Sequence, residues 1–145
     1  MSKISIDLPE FFFQSFNIPL RITDLNYGGH AGNDSLVSII HESRVQFLQS
    51  HNFSELNIGG TGLIMSNLQV EFKKEVYYPE ILKVSIAVGN VSKASFDFFY
   101  KLSVRRDDDE FEVAYAKTGM VSYDYTKKKV VPIPEEFRAV LERPL

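Results

Sequence analysis

The chain has no cysteine and no tryptophan, and only three histidines, His30, His41 and His51, among its 145 residues. Without cysteine there is no disulfide, no thiolate nucleophile and no cysteine-ligated zinc, so a reducing compartment is permitted. Three scattered histidines give no expectation of a metal centre. Neither charge sign is in large excess: 16 basic against 19 acidic side chains leave a net charge of -3. A whole-protein field of that size does not favour nucleic acid or an anionic membrane as partner. No stretch approaches the ~20 apolar residues of a membrane span. The opening MSKISIDLPEFFFQSF lacks the apolar core of a signal peptide. A cytoplasmic location is expected.

What the sequence does have is aromatic, β-prone material. Twelve Phe and seven Tyr accompany 44% hydrophobic and 24% charged residues, the composition of one sheet-rich globular domain spanning 1–145. Phe11, Phe12 and Phe13 are expected to pin an otherwise loose N-terminal arm. Phe16 to Ile22 alternates as a half-buried edge strand that tolerates Pro19. The glycine-broken loop Thr23 to Gly32 then leads into a helical pattern of about 18 residues, with Asn33 or Asp34 at the N-cap or in the first turn. Leu36, Val37, Ile39, Ile40, Val45, Phe47 and Leu48 cover much of that helix. A narrow polar stripe of Ser38, His41, Glu42, Arg44 and Gln49 is left, which predicts a helix wrapped by a sheet.

From Thr61 to Ile133 the period of two returns. Leu68-Val70-Phe72, Leu82-Val84-Ile86-Val88, Phe96 to Val104 and Phe111-Val113-Tyr115 read as inward faces of four long strands. Turns are expected at Tyr78-Pro79-Glu80, at Gly89-Asn90 and at the acidic run Asp107 to Glu110. Pro134 to Glu142 reads as a short terminal helix. One strand, one long helix and a meander of strands make an α+β fold, a central helix wrapped by a curved antiparallel sheet of five or six strands. Such a single layer invites a second copy, so a homodimer, or a dimer of dimers, is expected.

The order of elements, together with Asp24-Leu25-Asn26-Tyr27-Gly28-Gly29-His30-Ala31-Gly32-Asn33 and the later Glu42-Ser43-Arg44, resembles the hotdog fold. More narrowly it resembles the 4-hydroxybenzoyl-CoA thioesterase-like family, whose usual run is D-x-D-x-x-G-H-x-N-N followed by E-x-R. The resemblance spans roughly Leu20 to Tyr125. It implies hydrolysis of an acyl-CoA or related acyl thioester, without cofactor, at a dimer interface. Asn26 stands where that family usually carries the carboxylate credited as base or nucleophile, and an amide can do neither. In the plant acyl-carrier-protein thioesterases, which the loop also resembles, Asn works alongside His.

Thioester hydrolysis needs donors for the oxyanion and a group to orient or deprotonate water. A helix starting near Asn33 supplies unpaired N–H groups, and Gly29 lets a ligand approach them, so Gly29, Asn33 and Asp34 are the expected substrate-binding residues. By its place in the motif the Asn33 N–H resembles the family's carbonyl-polarising amide. Asn26, His30 and Glu42 are the catalytic candidates. Glu42 leads, by its spacing from Asn33 in another branch of hotdog thioesterases; its structural alternative is an ion pair with Arg44 or another basic side chain. His30 either orients water or shapes the loop, Asp34 complements the helix dipole, and Asp24 braces the loop. His41-Glu42 fails as a zincin motif because Val45 stands where the second histidine would be. The acyl chain is expected in a slot lined by Leu36, Ile40, Leu63 and Met65. A non-catalytic acyl-thioester binding protein and a 3-hydroxyacyl dehydratase are the alternative functions.

Overall fold

The computed structural model describes residues 4–143. Six strands and two α-helices follow the expected order: β1 (Gln14–Pro19), a 3-10 turn (Ile22–Asp24), α1 (Asn33–Ser50), β2 (Gly62–Phe72), β3 (Ile81–Gly89), β4 (Ser95–Arg106), β5 (Asp109–Asp124), β6 (Lys129–Val130) and α2 (Glu135–Leu141). All pairings are antiparallel, in the sheet order β1-β3-β4-β5-β2, with the short β6 on β5. Among the described residues the outer edge of β2 is therefore left without a partner strand. β1 is shorter than its alternation predicts. Pro19 ends it, and Ile22, expected to face inward, is 64% exposed at the start of the 3-10 turn.

α1 buries Leu36, Ile39, Ile40, Ser43, Arg44, Phe47 and Leu48, positions spaced by three and four that form one stripe against the sheet. The sheet wraps the helix as expected, along that buried stripe. Ser38, His41, Glu42 and Gln49 are exposed and Val37 and Val45 half-buried, so the sheet covers one side of the helix and leaves the other open. Gly32, in an extended conformation, holds the N-cap position, placing Asn33 and Asp34 in the first turn. At the other end Asn52 adopts φ 65°, and the N–H groups of Asn52 and Phe53 donate to the carbonyls of Gln49 and Leu48, a Schellman closure that stops the helix.

The core is an aromatic stack between α1 and the sheet. Phe47 meets Phe98 at 5.3 Å between ring centroids, Phe98 meets Phe96 at 4.9 Å, and Phe137 of α2 closes the end against Phe96 at 5.8 Å. The N-terminal arm crosses the outer face, where Ile6 packs with Ala87 and Phe99. Of the phenylalanine run, Phe12 and Phe13 pack down while Phe11 is 69% exposed.

In β5 the simple alternation breaks. Leu102 pairs with Ala114 and Ser103 with Glu112, leaving Val113 over as a bulge residue, and both Val113 and Ala114 are buried. Beyond the bulge Ala114, Ala116, Thr118 and Met120 face the core, and Tyr115, expected inward, turns to the outer face beneath Lys73. The acidic run forms the expected β4–β5 hairpin, with Asp107 at φ 56° in its tip.

Candidate functional site

The loop before α1 is a tight bend braced from inside. Asp24, 4% exposed, accepts the Arg21 N–H through its carboxylate at 2.8 Å and the Gly32 N–H through its carbonyl at 3.1 Å. Across the bend the Asn26 N–H donates to the His30 carbonyl at 2.9 Å, and the Gly29 N–H to the Asn26 carbonyl at 3.2 Å. Gly29 turns the chain with φ 77°, which a side chain would oppose. The Asn26 side chain is folded back into the same bend: its Oδ1 accepts the Gly28 N–H at 2.9 Å, and its Nδ2 lies 3.4 Å from His30 Nδ1.

A second segment holds this loop in place. After β2 the chain runs as a strap, residues 73–80, alongside the loop. The Ala31 N–H donates to the Val76 carbonyl at 2.8 Å, and His30 forms a bridge pair with Tyr77. The strap brings the Glu75 carboxylate to 3.5 Å from His30 Nε2, and the Tyr77 hydroxyl donates to the other Glu75 oxygen at 2.7 Å. That hydrogen bond to a carboxylate raises the Tyr77 phenol above its usual range. The strap is pinned by Arg106. Its guanidinium donates to both Glu80 oxygens, at 2.6 and 2.9 Å, and to the Glu75 carbonyl at 2.7 Å. The first of these contacts holds the Glu80 carboxyl below the ordinary carboxylate range, against the opposing effect of its burial.

Between the start of α1 and the strap lies a cavity of about 240 Å³ bordered by His30, Asn33, Leu36, Phe72, Lys74 and Glu75. The loop thus sets His30 beside Asn33, whose N–H is among those at the helix start that have no intrahelical partner. Asn26 touches His30 from the loop side, and Asp34 lies in the first turn, where its charge complements the helix dipole.

Glu42 is not part of this group. It accepts a hydrogen bond from Gln46 Nε2 at 3.0 Å and borders a separate groove of about 540 Å³ between the open face of α1 and β1. The structural alternative for Glu42, an ion pair with Arg44, does not form either. Arg44 points inward, 5% exposed, with Nη1 donating to the Tyr100 hydroxyl at 3.2 Å and Nε 3.7 Å from Glu55, which also pairs with His41 at 2.7 Å. The reason is helical phase. Arg44 falls on the stripe of Ile40 and Phe47, and Glu42 lies on the open side. Of the residues expected to line an acyl slot, Ile40 and Leu63 are core residues, Leu36 is buried and borders the small cavity, and Met65 is 46% exposed.

Sequence reasoning missed Glu75 and Tyr77. Alternation ends at Phe72, and nothing local in Lys73-Lys74-Glu75-Val76-Tyr77 indicates that this segment lies against His30.

Two further findings bear on a metal or a membrane. No cluster of three or more His, Asp or Glu side chains suited to a metal ion occurs among the described residues. No described helix is long and apolar enough to cross a membrane.

Known proteins of the same architecture are numerous. A candidate esterase of Aquifex aeolicus (strain VF5) is 29% identical over 103 residues, covering 70% of this chain and 76% of the relative. A 1,4-dihydroxy-2-naphthoyl-CoA thioesterase from Synechocystis superposes with a TM-score of 0.78 at 19% identity, covering 88% of this chain and 93% of that one. An Asp-to-Asn mutant of 4-hydroxybenzoyl CoA thioesterase, complexed with 4-hydroxybenzoyl CoA, superposes with a TM-score of 0.80 at 12% identity, over 89% of this chain and 98% of that one. These likenesses establish the hotdog fold. The model of the thioesterase-like superfamily matches residues 20–141, and the chain belongs to that superfamily.

Proposed function

We propose that this protein hydrolyses an acyl-CoA, or a related acyl thioester, to free acid and thiol. The observation that carries the reading is the juxtaposition of His30, held by Asn26, with the open N–H groups at the start of α1 across one small cavity. A thioester carbonyl seated at the helix start has its oxygen polarised by the Asn33 N–H, with Gly29 giving access and the positive end of the helix dipole stabilising the developing oxyanion. Asn26 cannot take a proton, and Glu42 borders another groove, so the base is His30. Asn26 serves by orienting the imidazole, and Asp34 by supporting the helix start.

The open edge of β2 supports a homodimer as the working unit, because an eleven-residue strand with one ladder unsatisfied is a template for a second copy. The site is then expected at or near the interface, and a cytoplasmic setting fits a CoA substrate.

The test is release of free thiol from a panel of aliphatic and aromatic acyl-CoAs. His30→Ala is expected to lower turnover by ~10²-fold or more, and Glu42→Gln to leave it within about three-fold. The reverse pattern would return the catalytic role to Glu42. One observation favours a second reading, a protein that binds acyl thioesters without cleaving them: the related thioesterase with an aspartate exchanged for asparagine is complexed with a CoA thioester. Saturable binding by calorimetry with no thiol released would establish that reading instead.

A further inference from the structure

We infer that Glu75 is a positioning residue that fixes His30 as its Nε2–H tautomer, leaving Nδ1 as the basic nitrogen. The tautomer follows from the network around the ring; the use made of it rests on the thioester hydrolysis proposed above.

The argument begins at Asn26. Its Oδ1 is committed to the Gly28 N–H at 2.9 Å, so the atom it presents to His30 Nδ1, 3.4 Å away, is the Nδ2 donor. A proton on Nδ1 would set two N–H donors against each other. A lone pair there accepts from Asn26. The carbonyl of Ala31, also 3.4 Å from Nδ1, would favour the opposite tautomer, but it leaves the Asn26 donor opposed.

The other edge of the ring decides in the same direction. Nε2 faces Glu75 Oε1 at 3.5 Å, an acceptor that rewards a proton on this nitrogen. Glu75 is itself held, its second oxygen by the Tyr77 hydroxyl and its backbone carbonyl by Arg106. The ring lies edge-on to Tyr77 with centroids 6.2 Å apart. Gly28 makes the approach possible, because a Cβ there would sit 2.9 Å from Nε2 and 3.0 Å from Cδ2.

With this tautomer the chemistry balances. A water oxygen bonds to the thioester carbon as one water proton passes to Nδ1, whose lone pair gives up the Asn26 contact, and the new Nδ1–H has the Ala31 carbonyl, 3.4 Å away, as its acceptor. The carbon–sulfur bond then breaks, and the departing thiolate takes the proton from Nδ1–H. The products are the acid and the thiol, and the imidazole returns to its starting form. Glu75 remains a carboxylate throughout.

The experiment is long-range proton–nitrogen NMR of the imidazole rings in uniformly ¹⁵N-labelled protein at a pH where they are neutral, with His30 assigned by its loss in His30→Ala. The wild type is expected to show His30 protonated on Nε2. Glu75→Ala is expected to shift it toward the Nδ1–H form, and Tyr77→Phe to shift it less. On the preferred acyl-CoA, Glu75→Ala is expected to lower kcat by about 10-fold or more with KM changed less than about three-fold. A wild-type His30 protonated on Nδ1, or a tautomer unmoved in folded Glu75→Ala and Tyr77→Phe, would overturn the inference. A tautomer that shifts as expected in a protein that hydrolyses no acyl-CoA would uphold the positioning role and remove the hydrolase reading.

Discussion

The Asn26 carboxamide faces the His30 imidazole across a five-residue bend, Nδ2 to Nδ1 3.4 Å. The bend that creates this contact also depends on Gly28, whose missing side chain leaves room for the ring.

Gly28→Ala is therefore expected to displace His30 rather than the backbone. The new methyl would lie 2.9 Å from Nε2, and Gly28 is not among the positive-φ positions, so the conformation itself suits alanine. Displacement by about 1 Å is enough to lower turnover ~10-fold or more. Steady-state kinetics should show this loss, with the circular dichroism spectrum unchanged.

Arg44 should prove structural. Truncation to alanine removes a guanidinium bonded to Tyr100 and leaves a void under α1, with an expected loss of about 3 kcal/mol in urea unfolding. Arg44→Met fills the same space without a charge. It should lose distinctly less, because Arg44 Nε already lacks a hydrogen-bond partner.

Stability should depend on pH through Glu80. Its folded pKa is lowered by Arg106, so below the ordinary carboxylate range the unfolded chain binds more protons than the folded one. The resulting stabilisation is present above the unfolded pKa of about 4.3 and is lost as pH falls through the folded value. Urea midpoints of the wild type and Glu80→Gln should thus differ at pH 7 and converge toward pH 3.

If the open edge of β2 pairs with a second copy, light scattering should give twice the chain mass. Met65→Lys, which places a charge on that exposed edge strand, should lower both the mass and the turnover. A dimer whose mass is indifferent to Met65→Lys would place the interface elsewhere.

The long elements were legible because their signals are long. Eighteen residues of α1 and the twelve of β4 repeat their periods often enough to be read without tertiary context. The face of Tyr115 was not, since a bulge at Val113 adds one residue to β5 and only the pairing with β4 reveals it. Asn26, His30 and Asn33 could be read as one group because they lie close together in the sequence, in the loop and at the start of α1. Glu75 could not, because it reaches His30 through the packing of a strap 45 residues further along the chain. Glu42 lies apart from that group for a related reason: spacing along a helix places a side chain at a height, and the open or closed side of the sheet decides what it meets.

The bulge has a reach beyond its own strand. The Val113 carbonyl accepts both the Lys73 and the Lys74 N–H groups, at 2.8 and 3.1 Å, at the point where β2 ends and the strap begins. Removing Val113 would leave the inward and outward faces of β5 unchanged, since Ala114 already faces in and Glu112 already faces out. It would, however, take away the acceptor that redirects the chain toward His30. A change of one residue in strand length, at a buried position that borders neither cavity, would thus alter the aim of Glu75 as well as the packing around it, making Val113 a remote determinant of site geometry.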